Sequence, residues 1–94
     1  MILIDPPTWP GWGRTWSHLV SDHSIEELHE FAERMGLQRR LFDEDHYDVP
    51  IERYDEAVAA GATPVSGSDL IRRLIRSGLR VTQAARQARS RPAP

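Results

Sequence analysis

The chain has 94 residues, no cysteine and a formal net charge of −2. This length suits one domain with a modest core, and the lack of cysteine excludes disulfides, thiolate metal ligands and cysteine nucleophiles. The opening apolar run, MILI, is too short for the core of a signal peptide or for a membrane span. We therefore expect a cytoplasmic protein with no membrane segment.

Charge is unevenly distributed along the chain. Residues 80–94 contain four arginines and no acid, so the preceding part is more acidic than the net charge suggests. An acidic body disfavours nucleic-acid binding, because affinity for phosphates comes mainly from clustered positive charge. The last residues also offer little apolar surface to bury. We predict a compact domain over residues 1–79 and a flexible, arginine-rich tail over residues 80–94.

The first quarter of the chain predicts two strands joined by a loop. Residues 1–5, MILID, form a buried strand that ends on Asp5. Prolines and glycines mark residues 6–14 as a loop, whose tryptophans would cover the core or a pocket. Residues 15–21, TWSHLVS, form the second strand, and its period-two alternation places three side chains on one face: Trp16, His18 and Val20.

Three helices follow in the sequence. The first has a capping box at Ser24 and Glu27 and ends at Gly36. The second occupies about residues 50–60, with Pro50 in its first turn and an inner face formed by Ile51, Tyr54 and Val58. Residues 38–48 are irregular or a short strand, and residues 63–66 are a short edge strand. The third helix runs over about residues 68–77, with an apolar face formed by Leu70, Ile71, Leu74 and Ile75.

This order of elements predicts an α/β fold. We expect a small domain of two or three layers, with a short sheet that is mostly parallel or mixed and about three helices. In such sheets ligands bind beyond the carboxyl ends of the strands. Asp5 and the pair Ser21 and Asp22 lie at two such ends, and we expect His18 and Asp22 to open onto the same pocket as Asp5.

Several motifs together resemble a known family. MILIDPP, GRTWSHLVSD, SIEELHEFAERMGL, DHYDVP and AVAAGATPV are similar, in this order, to the small bacterial and phage proteins of the domain of unknown function 4031 family. The resemblance covers about residues 1–79 and implies no established activity. Its recurring polar positions correspond to Asp5, Arg14, His18, Asp22, Glu27, His29, His46, Tyr47 and Asp48.

Histidines and aspartates at predicted strand ends are the candidates for catalysis. In an extended HYD segment, His46 and Asp48 project to the same face, where they can act as acid, base or metal ligands. Asp48 can equally cap the second helix. His18 is as consistent with a hydrogen-bonded core residue as with a functional one. The predicted catalytic set is Asp5, His18, His46 and Asp48, and the last three are also the candidate ligands of a divalent metal ion.

Further residues are candidates for binding a small-molecule ligand. Arg14 can bind a phosphate or carboxylate in a bidentate manner, although an ion pair with a nearby acid is the commoner role for such an arginine. Trp9 and Trp12 can stack on a ring or simply cover the core. The other predicted ligand-binding residues are Asp22, His29 and Tyr47.

Two functions are compatible with these residues. The first is a hydrolase, with His/Asp or metal chemistry, acting on a phosphate-containing small molecule or nucleotide. The second is a non-catalytic binding or regulatory module that forms a homodimer, since a small core benefits from extra buried surface. The sequence has no P-loop, H-E-x-x-H or G-x-S-x-G motif, which argues against the enzyme classes that these motifs mark.

Overall fold

A computed structural model describes residues 1–82, 84 and 85 of the chain. Within this part the chain forms a six-stranded mixed sheet and three α-helices, so the predicted α/β class is confirmed. The strands are β1 (Ile2–Ile4), β2 (Trp9–Gly11), β3 (Arg14–Ser21), β4 (Phe42–Asp43), β5 (His46–Pro50) and β6 (Thr63–Pro64). The helices are α1 (Ile25–Met35), α2 (Tyr54–Ala59) and α3 (Gly67–Ser77), and short 3-10 turns cover Arg39–Leu41 and Ile51–Arg53.

Strand β3 is the centre of the sheet. On one side, β3 pairs with antiparallel β5. On its other side, β3 pairs with antiparallel β2 along its first half and with antiparallel β1 along its second half. β4 extends the sheet beyond β5, and β6 runs parallel to β1. The expectation of a mixed sheet is confirmed and that of a mostly parallel one is wrong, because β1–β6 is the one parallel pairing in the described part of the chain.

The helices cover both faces of the sheet, which confirms the three-layer alternative. Adjacent strand residues point to opposite faces. Thus Leu19 packs in the larger core with α1 and α2, whereas Val20 packs with Leu70 and Leu74 of α3. None of the helices in the described residues is long and apolar enough to span a membrane.

Helix α1 follows its local signals closely. The Ser24 side chain accepts a hydrogen bond from the Glu27 backbone N–H, and Gly36 ends the helix in the left-handed conformation. The carboxylate of Glu27 does not complete the reciprocal half of the capping box. It accepts hydrogen bonds from the Ser21 hydroxyl and from the amino group of Met1. Through these two hydrogen bonds, Glu27 links the start of α1 to the start of β1 and the end of β3.

Two segments differ from the expectations. Residues 6–14 contain β2 rather than a continuous loop, because Trp9 pairs with Trp16 across a tight hairpin. The second predicted helix, over about residues 50–60, is present as the 3-10 turn Ile51–Arg53 followed by α2, but Pro50 ends β5 and does not lie in its first turn. Consequently Asp48 lies within β5 and does not cap α2, and Ile51 is exposed rather than on an inner face.

Helix α3 buries only half of its predicted apolar face. Leu70 and Leu74 are fully buried, but Ile71 and Ile75 are 36% and 59% exposed. The two isoleucines are displaced by one residue, about 100° around the helix, from the leucines that contact the sheet. The predicted tail of residues 80–94 lies mostly outside the described residues.

Candidate metal centre

The first part of the candidate site is an aspartate–histidine pair on β1 and β3. The antiparallel register pairs Ile4 with Leu19, which places Asp5 beside His18. One carboxylate oxygen of Asp5 accepts the backbone N–H of His18 at 2.6 Å, and the other lies 2.8 Å from Nδ1 of its imidazole. Asp5 is almost completely buried. It therefore fixes the orientation of the ring and leaves Nε2 as the nitrogen directed to a ligand.

A second pair of the same kind lies on β5. Oδ1 of the fully buried Asp45 lies 2.8 Å from Nδ1 of His46. On the other side of the ring, Nε2 of His46 lies 3.2 Å from Oδ1 of Asp48. His46 and Asp48 share one face of β5, as the alternation of the strand predicts, and Asp48 is the cross-strand partner of His18. Both histidines are thus oriented by buried carboxylates.

These contacts change the proton affinity of His46 and Asp45. Burial alone would lower the pKa of His46, but hydrogen bonds from its ring to Asp45 and Asp48 outweigh burial and raise the pKa to about 9. Burial would raise the pKa of Asp45, yet its interactions with His46, Val81 and Arg80 lower it. In the metal-free protein, His46 is therefore an imidazolium held between two carboxylates at neutral pH.

The three facing side chains have spacings that suit one metal ion. His18, His46 and Asp48 each offer a ligand atom, and these atoms lie within 4.8 Å of one another. Two ligand atoms bound tetrahedrally at about 2.0–2.1 Å from zinc are about 3.3 Å apart. Nε2 of His46 and Oδ1 of Asp48, which are hydrogen-bonded in the metal-free protein, are 3.2 Å apart and so already close to this separation, whereas the set as a whole is known to lie within 4.8 Å. The imidazoles of His18 and His46 meet edge to face, with their centroids 5.0 Å apart.

A polar cleft of about 790 Å³ opens in front of these side chains. Its walls include Arg14 and Arg40 and the aromatic rings of three tryptophans. A second, more apolar cleft of about 680 Å³ lies between His18 and α3. The two clefts share His18 and Trp9, whose rings are in edge-to-face contact. The tryptophans of the polar cleft are Trp9, Trp12 and Trp16.

Trp12 has an unusual position at the tip of the β2–β3 hairpin. It is 93% exposed and has a φ of 54°, and Gly13 follows with a φ of 74°. Two consecutive positive φ angles define a two-residue hairpin turn in which asparagine and glycine are favoured. A tryptophan there is conformationally strained and buries little of its ring. The turn therefore presents an aromatic surface at the rim of the polar cleft.

Three of the predicted ligand-binding residues lie away from this cleft. Because β1 and β3 are antiparallel, Asp22 lies at the opposite end of the sheet from Asp5, where it contacts the Met1 amino group and Arg73. The expectation of a common pocket for Asp5 and Asp22 is therefore wrong. Tyr47 points to the other face of β5, and its buried hydroxyl lies 2.8 Å from Nδ1 of His29.

His29 and Tyr47 thus form a separate pair behind the sheet. Burial lowers the pKa of His29 and raises that of Tyr47, and the positive charge of Arg39 also lowers the pKa of His29. Arg14 does border the polar cleft, and its guanidinium lies 3.5 Å from Glu52. This exposed ion pair leaves the guanidinium near the ligand space.

Asp45 is the important residue that sequence reasoning missed. It immediately precedes His46 in the DHYDVP motif, and its neighbour Glu44 has a φ of 64°, typical of a turn residue. Acids in turns are usually exposed and hydrogen-bond to the nearby backbone. The turn between β4 and β5 instead places Asp45 inside the protein. The signal in the sequence that could have indicated its role was its position next to His46.

Comparison with known proteins assigns the chain to a family. The family described as protein of unknown function, DUF4031, matches residues 2–77. The chain belongs to the DUF4031 family. No curated protein and no solved structure matches it. The matched range of this DUF4031 protein includes Asp5, His18, Asp45, His46 and Asp48.

Proposed function

We propose that this DUF4031 protein is a hydrolase that uses one divalent metal ion to act on a phosphate-containing small molecule or nucleotide. One observation carries the proposal. Two histidines, each held at Nδ1 by a buried aspartate, meet Asp48 in the wall of a polar cleft. Histidines that bind metals through Nε2 commonly donate their other N–H to a carboxylate in this way.

The composition of the ligand set favours a catalytic ion. Two imidazoles and one carboxylate suit zinc, and they also suit iron(II) in sites with open positions. Structural zinc sites are usually closed by four protein ligands, whereas catalytic sites keep a position for water. The cleft in front of His18, His46 and Asp48 provides space for that water and for a substrate.

The surroundings of the cleft support a phosphate-containing substrate. Arg14 and Arg40 supply guanidinium groups, which bind phosphate oxygens through paired hydrogen bonds. The exposed faces of Trp9 and Trp12 offer stacking surfaces for a planar ring such as a nucleobase. The net charge of −2 disfavours a polyanionic nucleic acid. A small ester therefore fits these features better than a polymer does.

The reaction follows from these roles. A divalent ion held by His18, His46 and Asp48 would supply a bound water with a lowered pKa and a Lewis acid for a phosphoryl oxygen. In the overall hydrolysis, the oxygen of one water would replace the ester oxygen on phosphorus, and a proton of that water would pass to the departing alcohol. Arg14 and Arg40 would stabilise the negative charge that spreads over the phosphoryl oxygens.

Hydrolysis assays on metal-loaded protein test the proposal. The substrates would be p-nitrophenyl phosphate, its bis ester and adenosine 5′-monophosphate, each with added Zn²⁺ or Mn²⁺. We expect metal-dependent release of product that His18→Gln and His46→Gln abolish. His23→Gln is the matched control, because His23 is exposed and lies outside both clefts. Product release that persists in His46→Gln would contradict the proposal.

Exposed apolar residues favour a second function, a non-catalytic binding module that forms a homodimer. Trp9, Trp12, Ile71 and Ile75 are all large, apolar and exposed. Apolar side chains concentrated around a cleft often mark an interaction surface. In this case light scattering at increasing concentration should show a dimer that Ile75→Arg disrupts. A monomer at every concentration would reject this alternative.

A further inference from the structure

We propose that Arg80 and Val81 are positioning residues of the metal centre. They hold the buried carboxylate of Asp45, and Asp45 in turn orients the imidazole of His46. The inference rests on the proposed metal-dependent function and deepens it. It adds a segment to the site that lies beyond residues 2–77, the range matched by the DUF4031 family.

The path of the chain after α3 makes these contacts possible. Gly78 ends the helix with a φ of 82°, and the Ser77 hydroxyl accepts the backbone N–H of Leu79 at 3.2 Å. The side chain of Leu79 packs against the core between α3 and the sheet. The segment is therefore anchored before it reaches the turn between β4 and β5.

At that turn, both oxygens of Asp45 are engaged. Oδ1 lies 2.8 Å from Nδ1 of His46, and Oδ2 accepts the backbone N–H of Val81 at 2.8 Å. The guanidinium of Arg80 lies 3.5 Å from the same Oδ2. Asp45 is completely buried, so water cannot readily replace either partner. Removing one partner of a buried charge is strongly destabilising, because the remaining charge lacks compensation.

The consequence for the metal centre is geometric. Val81 and Arg80 both restrict rotation of the Asp45 carboxylate through Oδ2, so loss of either contact would let the carboxylate shift, and the ring of His46 would shift with it. Loss of a carboxylate that orients a metal-binding histidine typically weakens metal affinity by about 10–100-fold, and loss of a group that holds this carboxylate should weaken it by no more than that. Arg80 and Val81 do not line the polar cleft in front of the metal ligands. An effect of their substitution on the metal would therefore act through Asp45.

Paired variants separate the backbone contact from the side chain. Val81→Pro removes the N–H that Asp45 accepts, whereas Val81→Ala keeps it and serves as the matched control. Arg80→Met removes the guanidinium while keeping a long apolar stem, and Arg80→Lys tests rescue by a positive charge. The arginine pair keeps the inference testable if the proline variant does not fold.

Two readouts are measured on the full chain. The first is the nuclear magnetic resonance signal of the His46 Nδ1–H proton in metal-free protein, whose exchange with water reports how firmly Asp45 holds the ring. The second is a Co²⁺ titration followed by visible absorption, which reports affinity and coordination geometry. We expect Val81→Pro and Arg80→Met to speed the exchange, weaken Co²⁺ binding measurably and by at most about 10–100-fold, and alter the spectrum. Val81→Ala should match the wild type, and Arg80→Lys should recover part of the loss.

The outcomes distinguish this inference from the proposed function. Wild-type exchange and wild-type Co²⁺ binding in both Val81→Pro and Arg80→Met would overturn the positioning role. If the wild type itself bound no Co²⁺, the proposed metal-dependent function would fail. The exchange rates in metal-free protein would still decide whether Arg80 and Val81 hold His46 through Asp45.

Discussion

The raised pKa of His46 predicts that the metal-free protein loses stability as the pH rises. In the folded chain this pKa is about 9, compared with an ordinary value of 6.5 in the unfolded chain. A group whose pKa is higher in the folded state binds its proton more tightly there. The stabilisation is therefore fully present below pH 6.5 and disappears as the pH rises through 9.

The magnitude follows from the size of the shift. Each pKa unit corresponds to about 1.4 kcal/mol, so this shift contributes on the order of 3 kcal/mol to the free energy of unfolding. The imidazole is only 13% exposed, so screening by solvent reduces the effect little. Domains are typically stable by about 5–15 kcal/mol, and the loss should therefore be a large part of the total.

Urea denaturation of metal-free protein at pH 6 and pH 9.5 measures this loss. Other groups also titrate in that range, including the amino group of Met1, whose contacts with Asp22 and Glu27 raise its pKa. The variant His46→Gln retains those groups, so the difference between its pH dependence and that of the wild type isolates His46. An equal loss of stability in both proteins would refute the reasoning.

Three further predictions concern the residues around the candidate site. Asp5→Asn should weaken Zn²⁺ affinity by about 10–100-fold in a calorimetric titration, because the His18 ring loses its carboxylate partner. Unchanged affinity would show that Asp5 does not orient His18 for the metal. Trp12→Asn should stabilise the protein against urea by up to about 1 kcal/mol, because asparagine tolerates the positive φ of the hairpin turn better than tryptophan does. Arg40→Gln should raise the KM for p-nitrophenyl phosphate severalfold without loss of bound metal, whereas a KM equal to that of the wild type would remove Arg40 from the binding site.

Local signals determined which elements could be predicted from the sequence. Helix α1 was predicted correctly because Ser24 and Gly36 mark its ends within the segment itself. Pro50 is compatible with the first turn of a helix and with the end of a strand, beyond the last ladder hydrogen bond that needs its N–H. Its place in β5 depends on pairing with Trp16, which lies 34 residues earlier in the chain. Pro50 was therefore assigned to the second helix although it is the last residue of β5.

The candidate site was predictable only where its geometry depends on residues that are close together in the sequence. Alternation along HYD correctly placed His46 and Asp48 on one face, because that relation is local. The separation of Asp5 from Asp22 depends on β1 and β3 being antiparallel, and neither strand specifies this alone. The burial of Asp45 requires the turn between β4 and β5 together with the segment after α3. Such long-range relations leave no periodic pattern in the sequence.

The metal content of freshly purified protein tests the central claim most directly. The wild type would be compared with the double variant His18→Ala/His46→Ala by elemental analysis, beside thermal denaturation with added divalent ions. We predict close to one metal ion per wild-type chain, almost none in the double variant, and stabilisation by the ion only in the wild type. A wild type without metal, and without any stabilisation by added ions, would contradict the account.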